Sequence, residues 1–373
     1  MTLQDISPVE EPQIQIQHCA TRILELQQDD GRILWIDGGI FDPWNHTLSA
    51  MALNVAGHKA QARAAFGALH DLQEPDGSIV GQCGASVPLD KTNRHLVPEK
   101  ATSLVDTNFA AFAATGIWHD YVLHQDRQWL ARQFPLIEAS MGFILAHQSS
   151  HGEIAWRRRE LGEKLEEVDA LRTGNCSIYK SLNAAIQIGE VLGEPTARWT
   201  SAAHKVKKAL VELPFRFDRT WPSKFRFAMD WYYPILTGVY EGTIAHAMIA
   251  SRMETFVARG LGCRCVSDEP WFTTAETCEL VLALLAIGEK QKAKKMLAYL
   301  APLRADEGGY WMGWQSVQNI YWPQERPSWT AAAFVLALDG VHQITPAANV
   351  LVGPLQSLKH NERVDFIHSR KQA

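Results

Sequence analysis

The chain has 373 residues, of which 46% are hydrophobic and 21% are charged, and its formal net charge is −5 at pH 7. This composition is typical of a soluble globular protein, and an acidic balance without a basic stripe argues against a nucleic-acid partner. No stretch approaches 18 consecutive apolar residues, so we expect no membrane insertion. The first residues lack a basic segment followed by an apolar run, which favours a cytoplasmic protein.

A repeated turn motif organises the chain. The segments LQQDDGRI (26–33) and LQEPDGSI (72–79) share Leu, Gln, Gly and Ile at the same spacing, and HQSSHGEI (147–154) keeps Gln, Gly and Ile. RADEGGYW (304–311) is a weaker copy. Each copy predicts an amphipathic helix that ends at a glycine turn, because glycine readily takes the left-handed conformation that closes a helix.

Two kinds of helix are predicted to alternate along the chain. Six are apolar on every side, which indicates burial, and they cover residues 43–56, 106–120, 176–192, 234–241, 270–287 and 327–339. Proline suits the first helical position and Asp or Asn suits the N-cap, so the expected starts are Pro43, Asp106, Asn175, Pro234, Pro270 and Pro327. Six amphipathic helices lie between them, at residues 12–27, 58–72, 126–147, 196–212, 243–259 and 289–303.

This alternation predicts an all-α fold, an (α/α)6 toroid in which six apolar helices form an inner barrel and six amphipathic helices surround it. No convincing run of alternating strands is present. Residues 1–345 are expected to form a single catalytic domain, with residues 346–373 as a C-terminal extension. Because consecutive helices are antiparallel, all six inner helices should begin at one end of the barrel.

The six segments that precede the inner helices should therefore meet at one mouth. They are rich in acids, amides and tryptophan: FDPWNHT (41–47), DTNF (106–109), NCSIYK (175–180), AMDWYYP (228–234), SDEPWFTTAET (267–277) and YWPQERPSW (321–329). Indole rings stack on the apolar faces of sugar rings, and polar groups bind their hydroxyls, so the mouth is predicted to bind carbohydrate. For any single tryptophan, the alternative is packing at a helix end.

Three carboxyl groups in these segments are catalytic candidates. Asp42 precedes a helix, so the helix dipole and free N–H groups favour the ionised form that a general base needs, although capping alone is the alternative. Asp230 lies outside the helix predicted to start at Pro234, so capping does not explain it. Glu276 is predicted almost two turns inside an apolar helix, where desolvation favours the protonated form of a general acid. Its alternative role is a buried ion pair with Lys180.

The candidate substrate-binding residues share the same segments: Trp44, Asn45, His46, Asp106, Asn108, Tyr179, Trp231, Tyr232, Glu269, Trp271 and Trp322. Glu279, one turn deeper than Glu276, is interpreted as structural. The spacing of Cys263, Cys265 and Cys278 does not match a strong zinc pattern, so we expect neither a metal nor a cofactor. The expected partner is an oligosaccharide or polysaccharide substrate.

Several motifs resemble known proteins. A six-hairpin toroid with acids and aromatic residues on the inner-helix loops is similar to the glucoamylase-type glycoside hydrolases and their relatives. DPWNHTLSAMAL, DTNFAAFAATGIWHDY, AMDWYYP and CVSDEPWFTTAETCE resemble, over nearly the whole chain, bacterial proteins often labelled prenyltransferase-like, a group expected to include mycobacterial hydrolases of methylmannose polysaccharides. The resemblance implies an inverting hydrolase of α-linked glycans that uses Asp42 and Glu276. It also implies an acid at the position of Asn45, which leaves the identity of the base open.

We therefore expect a glycoside hydrolase in which Glu276 protonates the departing oxygen while Asp42 or Asp230 activates water on the opposite face. One alternative is an isoprenoid enzyme, because the Gln-x-x-x-Gly turns are similar to the repeat of squalene cyclases. Another is a non-catalytic glycan-binding or epimerase-like toroid. Residues 80–105 are expected to shape the cleft, and Arg157–Arg159 to lie on a solvated loop or helix face, with a lid as the alternative.

Overall fold

A computed structural model describes residues 11–81, 83–84 and 105–355 of the chain. These residues form twelve α-helices and seven short β-strands. The helices are α1 (Pro12–Leu26), α2 (Pro43–Val55), α3 (Lys59–Leu72), α4 (Thr107–His124), α5 (Arg127–Ala146), α6 (Arg172–Leu192), α7 (Ala197–Glu212), α8 (Ala228–Leu236), α9 (Gly242–Phe256), α10 (Thr274–Ala286), α11 (Lys290–Ala298) and α12 (Ser328–His342). None of these helices is long and apolar enough to cross a membrane.

The even-numbered helices form a closed inner ring, in which each helix packs against the next and α12 packs back against α2. The odd-numbered helices lie outside this ring, each against one or two of its members. Most residues of α4 and α12 are buried, because these helices are apolar on every side and have neighbours all round. The predicted (α/α)6 toroid is therefore confirmed for the described residues.

The inner helix α8 begins earlier than predicted and contains a proline. It starts at Ala228, so Pro234 lies inside it and Asp230 lies in its first turn rather than outside the helix. Proline has no N–H to donate to the carbonyl four residues earlier, which here belongs to Asp230. Arg172 of α6 donates to that carbonyl instead (3.1 Å). A tertiary contact thus replaces the missing helical hydrogen bond and makes the interior proline tolerable.

Two other inner helices also start at residues that differ from the prediction. Helix α10 begins at Thr274 rather than Pro270, because the residues between them form a strand. Helix α6 begins at Arg172, so Asn175 lies in its first turn instead of capping it. The remaining predicted starts are confirmed to within one residue: Pro43, Asp106 and Pro327.

The repeated turn links an outer helix to the next inner helix and also touches the following outer helix. Gln27 follows α1 in an extended conformation and pairs with Ile33, and equivalent pairings join residues 73 and 79, 148 and 154, and 304 and 310. Gly31 has a φ of +88°, and a Cβ there would lie 2.4 Å from the carbonyl oxygen of Ala64 in α3. The Gln27 amide donates to the carbonyls of Gly31 and Gln61. The glycine therefore permits close approach to α3 and lies beyond the end of α1, rather than closing the helix as predicted.

Backbone pairings join the segments before successive inner helices into a continuous rim. Between α2 and α4 the link is the pairing of β1 (Ile40–Phe41) with β2 (Cys83–Gly84). Each of the other links includes an N–H···O=C bond: Thr107 to Trp156 (3.0 Å), Asp218 to Ala170 (2.8 Å), Ala228 to Cys265 (3.0 Å), Thr274 to Met312 (3.0 Å) and Ser328 to Trp35 (2.9 Å). All six inner helices therefore begin at the same end of the barrel, which confirms the predicted mouth.

A small antiparallel sheet forms one side of this rim. Its order is β3 (Val257–Ala258), β4 (Gly262–Arg264), β5 (Trp271–Thr273), β6 (Gly313–Gln315) and β7 (Ile320–Tyr321). These strands have only two or three residues each, so they agree with the expectation that no convincing run of alternating strands is present. Strands of two or three residues are too short to show the apolar alternation by which strands are identified in a sequence.

The described part of the predicted C-terminal extension closes the far end of the barrel. Leu351 lines the barrel interior, and the Gly353 amide donates to the carbonyl of Leu236, the last residue of α8 (3.0 Å). The buried Lys180 ammonium of α6 donates to the Gly353 carbonyl. The division of the chain into a catalytic domain and an extension stays a prediction.

Most of the 80–105 segment lies outside the described residues, so its role also stays a prediction.

Candidate active site

Asp42 caps α2 and is fully buried. One carboxylate oxygen accepts from the backbone N–H of Asn45 (3.0 Å), and the other accepts from the Asn45 amide (2.7 Å) and from the indole N–H of Trp35. Burial raises the pKa of Asp42, and the hydrogen bonds from Asn45 and Trp35 oppose this rise. The cap is confirmed, but the pKa moves in the opposite direction from that expected from the helix dipole. Removal of the carboxylate from water therefore raises its pKa by more than the hydrogen bonds at the helix end lower it.

A second carboxyl lies beside Asp42 on the next inner helix. Asp106 caps α4 and accepts from the backbone N–H of Asn108 (2.8 Å). Burial raises the pKa of Asp106 to about 7; the N–H groups of Asn108 and Phe109 oppose the rise, and the charge of Asp42 adds to it. The side-chain oxygen of Asn108 is buried and accepts no hydrogen bond from the described residues. This side of the mouth therefore holds two mutually repelling carboxyls and an amide oxygen that can accept from a sugar hydroxyl.

Glu276 lies in the first turn of α10 and is half-buried. The Thr273 hydroxyl, from the residue before the helix, donates to its carboxylate. The prediction that Glu276 is almost two turns inside the helix is wrong, because the helix begins at Thr274. The alternative ion pair with Lys180 is not formed either, since Lys180 donates to Gly353. Glu276 is thus a rim carboxyl held by one hydroxyl.

Two tryptophans of the predicted set form an aromatic wall next to Glu276. The rings of Trp271 and Trp322 meet edge to face at 5.2 Å, and the Trp271 indole donates to the Trp322 carbonyl (2.6 Å). Because side chains alternate along a strand, Trp271 lies on the same face of β5 as Thr273, which bonds Glu276. Glu269 is exposed just before this strand, at the outer edge of the rim.

Beneath the rim, aromatic and acidic side chains from several inner helices meet on the barrel axis. Trp44 stacks on Phe112 of α4, with ring centroids 4.2 Å apart. The Tyr232 hydroxyl of α8 donates to the Glu279 carboxyl of α10 (2.5 Å). Burial raises the pKa of Glu279 to about 8; the bond from Tyr232 opposes the rise, and the charge of Glu276 adds to it. These residues form the floor of the mouth.

Asp230 is engaged by a cation between two inner helices. Its carboxylate pairs with Arg172 of α6 at 3.4 Å. Nearby Asp218, which was not among the predicted residues, adopts a left-handed conformation (φ +55°). Burial raises the pKa of Asp218 to about 6; a backbone N–H from Arg172 opposes the rise, and the charges of Asp230 and Asp169 add to it. Asp230 therefore belongs to an ion-pair cluster, unlike Asp42, whose hydrogen-bond donors are all neutral.

Three predicted binding residues do not join the mouth. His46 of α2 is buried: its Nδ1 accepts from the Ile33 amide (3.1 Å), and its Nε2 donates to the Ala65 carbonyl of α3 (2.8 Å). Burial lowers the pKa of His46 to about 4, so it is a neutral packing residue. The other two lie between the rings: Tyr179 has the Lys207 ammonium 5.5 Å from its ring, and Trp231 stacks on Phe256 and donates to the Met248 carbonyl. These residues were predicted because they lie close in sequence to the segments of the mouth. Each of them, however, occupies a face of its helix that does not line the mouth.

The Arg157–Arg159 cluster lies on the loop before α6. Arg157 makes two bonds to the Glu163 carboxylate (2.9 and 2.8 Å), and Arg158 pairs with Asp76 of the preceding turn motif (2.9 Å). Arg157 also pairs through its backbone with Asp106, so the loop contributes to the rim. The cluster therefore lies on a loop as expected, but Arg157 and Arg158 are only partly exposed. The guanidinium groups of Arg157 and Arg158 are engaged in holding this loop.

Sequence reasoning missed two residues of the site. Trp35 was not among the predicted site residues, yet it donates to Asp42, and its position seven residues before Asp42 was the available signal. Glu279 was interpreted as structural because it lies one turn below Glu276. It faces the barrel axis, and among the described residues its carboxyl bonds only Tyr232. A carboxyl on an otherwise apolar helix face was the signal for this residue.

The order of the inner helices around the ring shows from which side each carboxyl reaches the mouth. Helices α2 and α10 both flank α12, so Asp42 and Glu276 line the mouth from two different sides. Helix α4 lies across the ring from α10, which puts Asp106 opposite Glu276. Carboxyls on separate sides of an aromatic cleft are what acid–base hydrolysis of a glycosidic bond requires.

Comparison with known proteins gives the same class. The chain is 40% identical over 339 residues to the MMP endo-(1,4)-3-O-methyl-alpha-D-mannosidase of Mycolicibacterium hassiacum, which covers 91% of this chain and 89% of that protein. The chain belongs to the family of this mannosidase. It is a glycoside hydrolase, which excludes the isoprenoid-enzyme alternative and confirms the resemblance on which the prediction rested.

Solved structures share the fold of this family member at low identity. A mannosylglycerate hydrolase of family GH63 from Thermus thermophilus superposes with a TM-score of 0.65 and 13% identity, over 86% of this chain and 99% of its own. A structure described as a wild-type glycosidase gives 0.63 and 11%, over 90% and 97%. A D-mannose isomerase gives 0.62 and 10%, over 92% and 100%. These likenesses concern the toroid alone, and no family model matches the sequence.

Proposed function

We propose that this glycoside hydrolase cleaves internal α-(1,4) bonds in a chain of 3-O-methylated mannose, with inversion, using Asp42 as the base and Glu276 as the acid. The observation that carries the proposal is the location of the two carboxyls at the starts of α2 and α10, on two sides of one mouth. The substrate class comes from the relative in Mycolicibacterium hassiacum, whose name specifies an endo-acting 3-O-methyl-mannosidase. A cytoplasmic location stays a prediction.

In the proposed reaction, Glu276 gives its proton to the glycosidic oxygen as the bond to the anomeric carbon breaks. Asp42 takes a proton from a water molecule, which attacks the anomeric carbon from the opposite face and inverts it. Inverting enzymes hold their two carboxyls roughly 6.5–9.5 Å apart to leave room for that water. A raised pKa strengthens Asp42 as a base, because proton affinity and basicity rise together.

Asp42 is preferred over Asp230 as the base because of their partners. Asp42 is held by neutral donors from Asn45 and Trp35, which fix its orientation without cancelling its charge. Asp230 instead pairs with Arg172, so its charge is directed at a guanidinium group rather than left for a water molecule.

The sugar-binding part of the proposal uses the aromatic wall and the amide beside the acids. The rings of Trp271 and Trp322 are only partly buried, so they can stack on the apolar face of a mannose unit. The unpartnered oxygen of Asn108 can accept from a hydroxyl of the same unit. Trp44, stacked on Phe112, lies at the floor of the cleft.

The test is hydrolysis of 3-O-methylated α-(1,4)-mannooligosaccharides by the wild type and by Asp42→Asn, Glu276→Gln and Asp230→Asn variants. NMR follows the new reducing end and its anomeric form. We expect a β-anomer first, and losses of at least about 1,000-fold in Asp42→Asn and Glu276→Gln. Glu269→Gln is the matched control, because Glu269 is exposed at the outer rim and the same substitution should leave the rate near wild type.

Three other outcomes would each contradict one part of the proposal. An initial α-anomer contradicts inversion. A larger loss in Asp230→Asn than in Asp42→Asn moves the base to α8. A wild type that cleaves none of these oligosaccharides contradicts the proposed substrate, while its family membership stands.

A further inference from the structure

An apolar cavity lies on the barrel axis directly beneath the proposed catalytic carboxyls. Helices α2, α4, α8, α10 and α12 all contribute to its walls, which include Trp44, Phe112, Tyr233 and Leu336. Its volume is about 30 Å³, which is room for a group as small as one methyl. Leu351 of the C-terminal segment lines the end of the cavity away from the mouth, and Trp44 and Glu279 line the end nearer to it. Trp44 follows Asp42 by two residues and Glu279 follows Glu276 by one helical turn, so the cavity adjoins the site of cleavage.

A single carboxyl, Glu279, lines this cavity among the described residues. Several acidic or weakly acidic groups interact with the Glu279 carboxyl: Tyr232 and Tyr233 from α8, Cys263 from β4, and Glu276 and Cys278 from α10 itself. No basic side chain among the described residues forms an ion pair with it. With a pKa of about 8, Glu279 is protonated at neutral pH, so one oxygen accepts from Tyr232 and the carboxyl keeps one O–H to donate.

This pairing of groups suits a methyl ether better than a free hydroxyl. An ether oxygen only accepts hydrogen bonds, so it suits a neutral carboxyl that donates. The methyl group needs apolar volume, which the aromatic and aliphatic walls supply. A free hydroxyl in the same place would leave the apolar volume unfilled, and its contacts with these walls would be lost.

We infer that this cavity is the subsite for the methyl ether of an O-methylated sugar, with Glu279 donating to the ether oxygen. The inference rests on the proposed function, because it assigns the feature that selects methylated mannose over mannose. One additional methylene in an apolar pocket is worth roughly 10–200-fold in discrimination. The wild type should therefore prefer a 3-O-methylated oligosaccharide over the unmethylated one by at least about tenfold in kcat/KM.

The test measures this ratio of kcat/KM values for a matched pair of α-(1,4)-mannooligosaccharides, with and without 3-O-methyl groups. Ala333→Leu fills the cavity from α12 and should bring the ratio close to one. Glu279→Leu removes the donor and should lower the ratio about tenfold, whereas Glu279→Gln keeps an N–H donor and should largely preserve it. Ile188→Ala, a buried residue of α6 away from the cavity, is the control for lost stability and should leave the ratio unchanged.

Competition needs no variant. Methyl 3-O-methyl-α-D-mannoside should inhibit the wild type more strongly than methyl α-D-mannoside, by about tenfold or more. Equal cleavage of both oligosaccharides by the wild type, or equal inhibition by both mannosides, overturns the methyl subsite and leaves the proposed mannosidase standing. Variants that slow both substrates equally make the cavity merely structural and also overturn the inference. A wild type that cleaves neither substrate overturns this inference together with the proposed function.

Discussion

Trp35 donates its indole N–H to the carboxylate of Asp42, which lies seven residues later at the start of α2. The same carboxylate accepts from Asn45 on its other side, so its orientation is set before any substrate arrives. This hydrogen bond connects the rim to the proposed base, because the Trp35 carbonyl also accepts from the first residue of α12, Ser328. A residue outside every helix thereby helps Asn45 of α2 to position the proposed base.

Trp35→Phe should therefore lower kcat more than it changes KM. A hydrogen bond to a charged group contributes about 1.5–3 kcal/mol, so a loss of roughly 10–100-fold is expected. The control is Trp231→Phe, which also removes one indole hydrogen bond, to Met248, but between α8 and α9. Steady-state kinetics on the cleaved oligosaccharide distinguish the two. Equal kcat losses in both variants contradict a positioning role for Trp35.

Asp106 should make the protein less stable as the pH rises. Its pKa is about 7 in the folded state and near 3.8 when unfolded, so between these values the folded state binds more protons and stability falls with rising pH. Asp106→Asn keeps an N-cap and removes this cost, which should increase stability at pH 8 by about 2 kcal/mol. Urea unfolding at pH 5 and pH 8 measures the difference.

Asp126→Asn is the matched control for this experiment. Asp126 caps α5, and the backbone N–H of Trp129 together with the Arg63 guanidinium lowers the pKa of Asp126 to about 2. Its carboxylate stabilises the folded state at every pH well above that value, so the Asn variant should be less stable at both pH values. A loss of stability at pH 8 in Asp106→Asn as well would contradict the burial cost assigned to Asp106.

Lys180 should give the opposite pH dependence from Asp106. Burial lowers the pKa of Lys180 to about 7, far below its value of 10.5 when unfolded. Between these values the unfolded state binds more protons, so stability rises from pH 7 to pH 10.5, and the cost of the buried charge is largest below pH 7. Lys180→Met should remove this rise and increase stability at pH 6 by about 1–3 kcal/mol. Lys208→Met on exposed α7 is the control and should leave the pH profile unchanged.

Selection for the methyl ether should weaken in alkaline solution. As the pH rises through about 8, Glu279 loses the O–H that donates to the ether oxygen, and its negative charge then repels that oxygen. The ratio of kcat/KM for methylated over unmethylated substrate should fall across this range in the wild type. In Glu279→Gln the ratio should stay constant, because an amide does not titrate there. A parallel fall in both proteins would assign the pH effect to another group.

The repeated turns should be intolerant of any side chain at their glycine. A Cβ at Gly77 would lie 2.0 Å from the Ala139 carbonyl oxygen of α5, and Gly77 has a φ of +88°. Gly77→Ala should therefore cost about 3 kcal/mol or more, from the left-handed backbone and the clash together. Gly57 has a similar φ of +87°, but no atom lies within 4 Å of the position that a Cβ would take, so Gly57→Ala should cost only about 1–2 kcal/mol. Thermal unfolding of both variants checks the difference.

The sequence by itself determined the architecture and the general location of the site. Helices that are apolar on every side must be surrounded by other helices, which is why α4 and α12 could be assigned to the inner ring. The glycine spacing of the turns revealed the repeat, and capping chemistry located Asp42 and Asp106 correctly at helix starts.

Only the tertiary structure decided what each side chain at the mouth faces. Residues 230–233 are consecutive, yet Trp231 packs outward on Phe256 and Tyr232 turns inward to Glu279. A sequence shows that such residues are buried, but helical periodicity does not show which neighbours enclose them. The pKa of a carboxyl depends on those neighbours and on how completely they exclude water. That is why the cap at Asp42 was predictable from its local sequence, whereas the direction of its pKa shift and the neutral donor at Glu279 were not.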